Sequence, residues 1–196
     1  MFFIAEVSSN HSKNLDRCLK LVESAKKSGF DAIKFQAFEI DKLYAPEILS
    51  KSKEHMSRKE WTFPLDFLPK IKQKCDEIDL KLGITPFYIE AVSECNEFVD
   101  FFKIASYELL WKELLMECCL TKKPLIISTG MANIDEVKDS VNFIENNGCD
   151  DLTILHCVSS YPVQDHEVNL GAIGHMKDIF NWPIGWSDHS RNPPLR

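Results

Sequence analysis

The chain has 196 residues, of which 44% are hydrophobic and 27% are charged, and its formal net charge is −7. This composition is that of an ordinary globular domain with a substantial core. The scattered basic residues argue against a general nucleic-acid or anionic-membrane surface. No apolar run approaches the roughly 20 residues that span a bilayer, and the N-terminus lacks a signal-peptide pattern. We therefore expect a cytoplasmic protein that binds neither nucleic acid nor membranes.

Seven cysteines are present, an odd number, and none of them forms a C-x-x-C pair. This pattern is not typical of a disulfide scaffold or of a thiolate zinc site. We expect buried, reduced thiols.

Seven short apolar runs alternate with helical patterns, and each run ends in polar residues. The predicted strands are residues 2–6, 31–36, 80–85, 101–105, 124–129, 152–157 and 183–187. This alternation predicts an α/β fold, a TIM (β/α)8-type barrel with its site at the C-terminal ends of the strands. We expect a single barrel domain over residues 1–196, with seven strands and with the eighth strand–helix unit missing.

Capping residues mark several helix ends. Asn14 is positioned to cap the helix after the first strand, and Gly29 is positioned to end it. Asn133, with Glu136 three residues later, is a variant of the capping box. Residues 37–62 show no clear periodicity, so we expect a long loop with room for a short helix.

The polar strand ends form motifs that occur in one order along the chain. They are Ala5-Glu-Val-Ser-Ser-Asn-His11, Ile33-Lys-Phe-Gln36, Ile84-Thr-Pro-Phe87, Phe102-Lys-Ile-Ala-Ser106, Ser128-Thr-Gly-Met131, Leu155-His-Cys157 with Tyr161-Pro162, and Gly185-Trp-Ser-Asp-His189. Taken together, these motifs resemble the sialic acid synthase family. That family includes N-acetylneuraminate synthases and the bacterial enzymes that make legionaminic and pseudaminic acids.

The resemblance implies a reaction and a set of site residues. The family condenses phosphoenolpyruvate with an N-acetylated amino sugar in its aldehyde form, giving phosphate and a nine-carbon 2-keto acid, with Mn²⁺ or Mg²⁺ assisting. A small, dense anion needs cations and hydroxyl donors at close range. By the resemblance, phosphoenolpyruvate is bound by Lys34, Thr85, Lys103, Ser106, Ser128 and Ser187, and further substrate contacts come from Gln36 and Tyr161.

The resemblance also suggests roles for one histidine and two carboxylates. His189 matches a metal ligand, Glu6 is the candidate sugar-side group, and Glu108 is the candidate for acid–base work on water. Three of the proposed site residues also have a structural explanation that involves no ligand. Lys34 could sit at a strand end and reach solvent, Glu6 could cap the turn that follows it, and His189 could be a structural histidine. Gly130 could be present for its backbone freedom in a tight turn.

The chain also departs from the family pattern. It lacks the family's second metal histidine on strand eight and the C-terminal antifreeze-like domain that reaches into the partner subunit's site. We therefore expect either a fragment or a truncated gene product. Because an open barrel leaves the edges of the first and seventh strands unpaired, we also expect a homo-oligomer, with a dimer as its form. Two other functions stay open. One is a synthase of a shorter keto-sugar acid from a phosphorylated aldose. Its second phosphate would need further cations, which are available in the basic residues Lys51, Lys53, Arg58 and Lys59. The other is a non-catalytic remnant or binding subunit.

Overall fold

The computed structural model describes residues 1–191, which divide into two compact units. The first unit is Met1–Phe102, and the second begins at Lys103. The strands are β1 (Ile4–Glu6), β2 (Ala32–Ala37), β3 (Lys81–Pro86), β4 (Phe101–Ile104), β5 (Leu125–Ser128), β6 (Leu152–Cys157) and β7 (Ile184–Ser187).

Nine α-helices lie between these strands in residues 1–191. They are α1 (Leu15–Lys27), α2 (Ile40–Leu43), α3 (Pro46–Lys51), α4 (Lys53–Ser57), α5 (Leu68–Glu77), α6 (Glu90–Asn96), α7 (Lys112–Leu120), α8 (Ile134–Asn146) and α9 (Gly171–Ile179). Short 3₁₀ helices cover Ser8–His11, Arg58–Trp61, Leu65–Phe67, Ser106–Glu108 and Asp165–Glu167. Within the described residues, no helix combines the length and the apolar character that crossing a membrane requires.

In the first unit the strands are ordered β1, β2, β3, β4, and every pair is parallel. The register sets Glu6 beside Lys34 and Gln36 beside Thr85. The β2 strand is apolar except at Lys34 and Gln36, and its Ile33 and Phe35 side chains are at most 1% exposed. Parallel strands covered by helices need such nearly continuous apolar runs, so polar residues are tolerated only where they find partners.

In the second unit β5, β6 and β7 are parallel and follow chain order. The register pairs Ser128 with Leu155 and Cys157 with Ser187. The C-terminal ends of these three strands therefore lie at one edge of the sheet, and their polar residues lie there too. Seven parallel strands with intervening helices confirm the predicted α/β fold class.

The predicted helix caps are confirmed. The Asn14 side chain accepts a hydrogen bond of 2.8 Å from the Arg17 amide, and Gly29 ends the segment after α1 with a φ of +83°. At α8, Asn133 and Glu136 form a reciprocal capping box. These local signals were readable because each depends on residues within one helical turn of each other.

The expectation of a long loop with one short helix over residues 37–62 holds only in part, because the segment contains three short helices, α2, α3 and α4, and a 3₁₀ helix. Pro46 is the first residue of α3, where its missing N–H costs nothing. The Ser52 side chain accepts from the His55 amide and caps α4. Helices of four to six residues are too short to show a 3.6-residue hydrophobic period, so the pattern did not reveal them.

Replacing Gly83 with alanine tests the packing of β3 against β4. A Cβ atom on Gly83 would lie 2.2 Å from the Cζ atom of Phe101, whose side chain is 4% exposed. We expect Gly83→Ala to lower the free energy of unfolding by about 1–3 kcal/mol, because the ring or the backbone must shift. Chemical denaturation measures this change.

Gly174→Ala in α9 is the matched control. No atom lies within 4 Å of a Cβ built at Gly174. Because alanine favours a helix over glycine, we expect this variant to be as stable as the parent chain or more stable by about 0.5–1 kcal/mol. Equal stability of both variants would show that the close approach of Phe101 to Gly83 imposes no constraint.

Candidate active site

The Lys34 side chain lies at the centre of the polar residues of the first unit. Lys34 is 5% exposed, its Nζ atom donates a hydrogen bond of 2.8 Å to Thr85 Oγ1, and it forms an ion pair with Glu6 Oε2. A buried ammonium is costly unless it is paired and hydrogen-bonded, and here both conditions are met. The plainer reading, in which Lys34 reaches solvent, is therefore wrong.

Glu6 serves two partners at the end of β1. Its Oε1 atom accepts a hydrogen bond of 2.9 Å from the Ser8 amide, and its other oxygen pairs with Lys34. The hydrogen bond from Ser8 confirms the turn-capping interpretation of Glu6, and its role at a sugar site stays a prediction. The Glu6 side chain is 42% exposed, so its carboxylate remains open to a ligand. Gln36 is half-buried and lies on the same face of β2 as Lys34, because residues two apart in a strand share a face.

In the second unit, Lys103, Ser106 and Glu108 follow one another at the end of β4. Ser106 is 7% exposed, and its Oγ atom accepts a hydrogen bond of 3.0 Å from the Gly130 amide. Glu108 is half-buried, and its Oε2 atom has no hydrogen-bond partner among the described residues. Burial raises the pKa of Glu108 to about 7, although the charge of Lys103 opposes the shift. Near neutral pH this carboxyl group can therefore both take up and release a proton.

Ser128 ends β5 with its side chain fully buried. Its Oγ atom also lacks a hydrogen-bond partner in the described part of the chain. Buried hydroxyl groups without a partner are uncommon, because the lost contacts to water are not replaced. A ligand oxygen at this position would satisfy the group.

The explanation of Gly130 by backbone freedom is wrong, because its φ does not lie in the left-handed region. A Cβ atom there would lie 2.7 Å from Ser159 Oγ and 3.0 Å from both the carbonyl oxygen and the Sγ atom of Cys157. Glycine is required at this position because the chain after β6 approaches it closely.

His189 is in contact with Cys157, which sequence reasoning had treated only as a reduced thiol. The Cys157 Sγ and His189 Nδ1 atoms are 3.7 Å apart, and Nδ1 is 3.1 Å from the Val158 carbonyl oxygen. The Tyr161 ring lies against the His189 ring, with 4.2 Å between the centroids. Ser187 is half-buried and is the register partner of Cys157. The position of Cys157 at the end of a strand was the available signal.

The Cys157–His189 contact changes the pKa of both groups. For Cys157, burial raises the pKa, but hydrogen bonds with His189 and Ser106 and the charges of His189 and Lys103 outweigh it, so the net shift is downward. For His189, burial lowers the pKa, but hydrogen bonds with Cys157 and Val158 and the attraction of Cys157 outweigh it, so the net shift is upward. The contact therefore shifts the pKa of each group in the direction that favours its charged form.

The described residues do not assemble a complete metal site. Within residues 1–191, no group of three or more His, Cys, Asp or Glu side chains is arranged to hold a metal ion. Nδ1 of His189 already faces Cys157 and Val158, so Nε2 alone remains for a ligand. The neighbouring Asp188 accepts from the Ser190 amide through Oδ1. Octahedral Mn²⁺ or Mg²⁺ needs more oxygen ligands than His189 and its neighbours supply.

A cavity of about 610 Å³ lies in the first unit, beside the ends of β2 and β3. Its lining includes Phe38, Phe63, Tyr88 and Glu94, but none of the predicted site residues. The Tyr88 hydroxyl donates to Glu94 Oε2 at 2.6 Å. The cavity is therefore distinct from the cluster around Lys34.

Comparisons with known proteins agree with the strand-end motifs. The chain is 40% identical to uncharacterized protein MJ1065 of Methanocaldococcus jannaschii, over 96% of this chain and 55% of that protein. It is 34% identical to an N,N'-diacetyllegionaminic acid synthase of Campylobacter jejuni, over 96% of this chain and 60% of the synthase. The chain thus spans little more than half the length of these relatives.

A solved structure also matches the fold. The N-acetylneuraminic acid synthetase of Leptospira borgpetersenii, crystallised with citrate, superposes with a TM-score of 0.89 and 29% sequence identity. The superposition covers 99% of this chain and 67% of that one. The sequence matches the NeuB family over residues 21–194, with the Lys34, Lys103 and His189 motifs inside that range. The chain belongs to the NeuB family.

Proposed function

We propose that this chain binds phosphoenolpyruvate and condenses it with an N-acetylated amino sugar, giving a nine-carbon 2-keto acid and phosphate. The observation that carries the proposal is the buried Lys34 ammonium of β2, which is held by Glu6 at the end of β1 and by Thr85 near the end of β3. Such strand ends are where barrel enzymes bind their substrates. The synthases among the relatives support the reaction class.

The anion-binding proposal rests on hydrogen-bond donors for which an oxygen atom of the ligand would be the acceptor. A lysine ammonium has three N–H donors, and within the described residues Thr85 and Glu6 engage two of those of Lys34. The third is available to a phosphate or carboxylate oxygen. In the second unit, Ser128 has a buried hydroxyl group that has no partner in the described residues. In that same unit, the charge of Lys103 acts on Glu108, Cys157 and His189.

Glu108 is the proposed acid–base group. In the proposed reaction, C3 of phosphoenolpyruvate attacks the aldehyde carbon, water adds at C2, and phosphate leaves from the resulting tetrahedral carbon. The attacking water must lose a proton, and a carboxyl group with a pKa of about 7 can accept it near neutral pH. Glu6, with its partly exposed carboxylate, is the proposed sugar-side group.

A divalent metal ion, Mn²⁺ or Mg²⁺, would polarise the sugar aldehyde when bound. Nε2 of His189 is the atom that we propose as one of its ligands. The roles given above to Lys34, Glu108 and Glu6 do not depend on that ion.

The alternative with a phosphorylated aldose has less support. It needs free cationic groups for a second phosphate, and Arg58 is one of the four basic residues that could supply them. The Arg58 guanidinium instead donates to the Tyr44 hydroxyl at 2.5 Å and pairs with Glu54 at 3.2 Å. The Arg58 guanidinium group therefore already has hydrogen-bond and ionic partners within the first unit.

Phosphate release tests the proposed function directly. The chain is mixed with phosphoenolpyruvate, Mn²⁺ and, in turn, N-acetylmannosamine, a diacetamido-trideoxy sugar or arabinose 5-phosphate. We expect release with one of the N-acetylated sugars and none with Lys34→Met. Release with arabinose 5-phosphate would favour the shorter keto-sugar acid. Bound phosphoenolpyruvate without any release would favour the binding-subunit function.

Replacing Lys103 with methionine removes a cation that the resemblance assigns to phosphoenolpyruvate binding, while nearly keeping the length of the side chain. We expect phosphoenolpyruvate binding to weaken by about 1.5–3 kcal/mol, the size of a lost charge-assisted contact. Isothermal titration calorimetry measures the change. Lys177→Met, which removes an exposed charge in α9 of the same unit, is the matched control. Unchanged affinity in Lys103→Met would remove Lys103 from the site.

Glu108→Gln tests the acid–base role through the pH profile. In the parent chain we expect kcat/KM to fall as the pH drops below about 7, because protonation removes the base. The variant should lose about 10²–10⁴-fold in kcat and should no longer show this acidic limb. An unchanged limb in Glu108→Gln would assign the titration to another group.

The stability of Glu108→Gln gives an independent control. The pKa of Glu108 is raised on folding, so the folded chain binds more protons than the unfolded chain between the ordinary value and about 7. The contribution of Glu108 to stability is therefore greatest at acidic pH and falls as the pH rises through that window. Glutamine stays neutral, so the variant should lose this pH dependence and be at least as stable as the parent at pH 8. Lower stability at pH 8 would mean that the carboxylate is needed for folding.

A further inference from the structure

The turn that follows β1, residues 7–13, has a strained backbone, and we refer to it as the β1 turn. Three of its residues, Ser8, Ser12 and Lys13, have φ values of +50°, +49° and +50°. None of the three is a glycine. The left-handed region disfavours residues that carry a Cβ atom, so this conformation persists only where surrounding contacts hold it.

His11 supplies one of those contacts. Its Nδ1 atom accepts a hydrogen bond of 3.0 Å from the Lys13 amide, two residues further along the chain. Asparagine and aspartate side chains accept from the amide at this same spacing in Asx turns, and they tolerate left-handed backbone there. His11 therefore takes the place of an Asx-turn residue, with a ring nitrogen instead of a side-chain oxygen as the acceptor.

The surroundings of His11 keep its ring neutral and fixed. The residue is 1% exposed, and its ring meets the Phe63 ring edge-on, with 5.3 Å between the centroids. Phe63 in turn lies against Phe35 of β2, at 4.9 Å between centroids. Burial lowers the pKa of His11 and the charge of Lys13 lowers it further, although the Trp61 backbone opposes the shift. The ring is therefore neutral at neutral pH, and Nδ1 stays an acceptor.

Backbone hydrogen bonds join the two ends of the β1 turn. The Asn10 amide donates to the Val7 carbonyl oxygen at 3.0 Å, and the Ser12 amide donates to the Ser9 carbonyl oxygen at 3.2 Å. The two hydrogen-bonded rings overlap along the chain. A change of backbone conformation at one end of the β1 turn therefore displaces the other end.

The first residues of the β1 turn set the orientation of Glu6. The Ser8 amide donates to Glu6 Oε1 at 2.9 Å, which leaves Oε2 of the same carboxylate for the ion pair with Lys34. The position of that amide depends on the left-handed φ of Ser8. The orientation of the Glu6 carboxylate thus depends on the conformation of the whole β1 turn.

We propose that His11 is a positioning residue, whose Nδ1 atom fixes the β1 turn and thereby holds the Glu6 carboxylate between the Ser8 amide and Lys34. The property that matters is the acceptor at Nδ1, rather than the contact of the ring with Phe63. The inference rests on the proposed function only where it gives Glu6 a role at the sugar.

Two variants of His11 separate the acceptor from the ring. His11→Phe keeps an aromatic ring against Phe63 but removes the acceptor for the Lys13 amide. His11→Asn removes the ring but places a side-chain oxygen where it can accept from that amide, as in an Asx turn. If the acceptor is what positions Glu6, the asparagine variant should behave like the parent chain and the phenylalanine variant should not.

His55→Phe is the matched control in the same unit. The His55 ring also meets an aromatic ring edge-on, that of Tyr44, with 4.8 Å between the centroids. Its Nδ1 atom also has a hydrogen-bond partner, Ser52 Oγ at 2.6 Å. His55 lies in α4 and has no contact with the β1 turn among these interactions, so this variant should leave Glu6 unaffected.

Amide hydrogen exchange measured by NMR tests the positioning role without any substrate. In His11→Phe we expect the Ser8 and Lys13 amides to exchange about five- to tenfold faster than in the parent, as expected for the loss of one hydrogen bond. In His11→Asn and His55→Phe their rates should match those of the parent. The Lys81 amide, which donates to the Asp31 carbonyl oxygen at 3.1 Å, is the internal reference and should not change.

The phosphate-release assay adds a readout that a general loss of stability would not give. In His11→Phe we expect KM for the amino sugar to rise about five- to tenfold with little change in kcat, because a binding group is misplaced rather than removed. His11→Asn should restore the parent KM.

The outcomes for His11 and for the proposed function are distinguishable. Unchanged exchange of the Ser8 amide in His11→Phe, or equal acceleration of the Ser8 and Lys81 amides, would overturn the positioning role. A failure of His11→Asn to restore the parent rate would overturn it as well. Absence of phosphate release from the parent chain would instead contradict the proposed function, and the exchange rates would still decide the role of His11.

Discussion

The burial of the Lys34 ammonium group is the constraint on which the first unit's polar residues depend. Lys34 is 5% exposed inside an otherwise apolar strand, so it must be neutralised and hydrogen-bonded by groups on neighbouring strands. The parallel register supplies Glu6 from β1, and Thr85 comes from β3. Removing any one of these three side chains would deprive the remaining ones of a hydrogen-bond or ionic partner.

The polar groups of the second unit are arranged differently. Ser128 Oγ and Glu108 Oε2 have no hydrogen-bond partner among the described residues, and burial raises the pKa of Glu108. Buried polar groups without a hydrogen-bond partner reduce the stability of the folded chain unless a bound ligand supplies that partner. Buried polar atoms without a hydrogen-bond partner are expected at ligand-binding sites, because function there requires polar groups that stability alone would not favour. The first unit thus holds a paired cation, whereas the second holds a buried hydroxyl group without a partner among the described residues and a carboxyl group with a raised pKa.

The sequence was most informative where a residue's role depends on near neighbours in the chain. The capping box at Asn133 and the polar strand end at Lys34 follow from residues within one element. The contact of Cys157 with His189 joins residues 32 positions apart, and no spacing rule links them. Gly130 was misread because its constraint comes from Cys157 and Ser159 rather than from its own backbone. The short helices of residues 37–62 were missed because they are shorter than the period that would reveal them.

A crystal structure of the chain with phosphoenolpyruvate bound is the most direct test of the central claim, which is that Lys34 is an anion-binding group. If Lys34 binds an anion, a phosphate or carboxylate oxygen should lie within about 3 Å of Lys34 Nζ, with the contacts to Thr85 and Glu6 retained. Phosphoenolpyruvate bound elsewhere, with Lys34 in contact only with Thr85 and Glu6, would contradict the account.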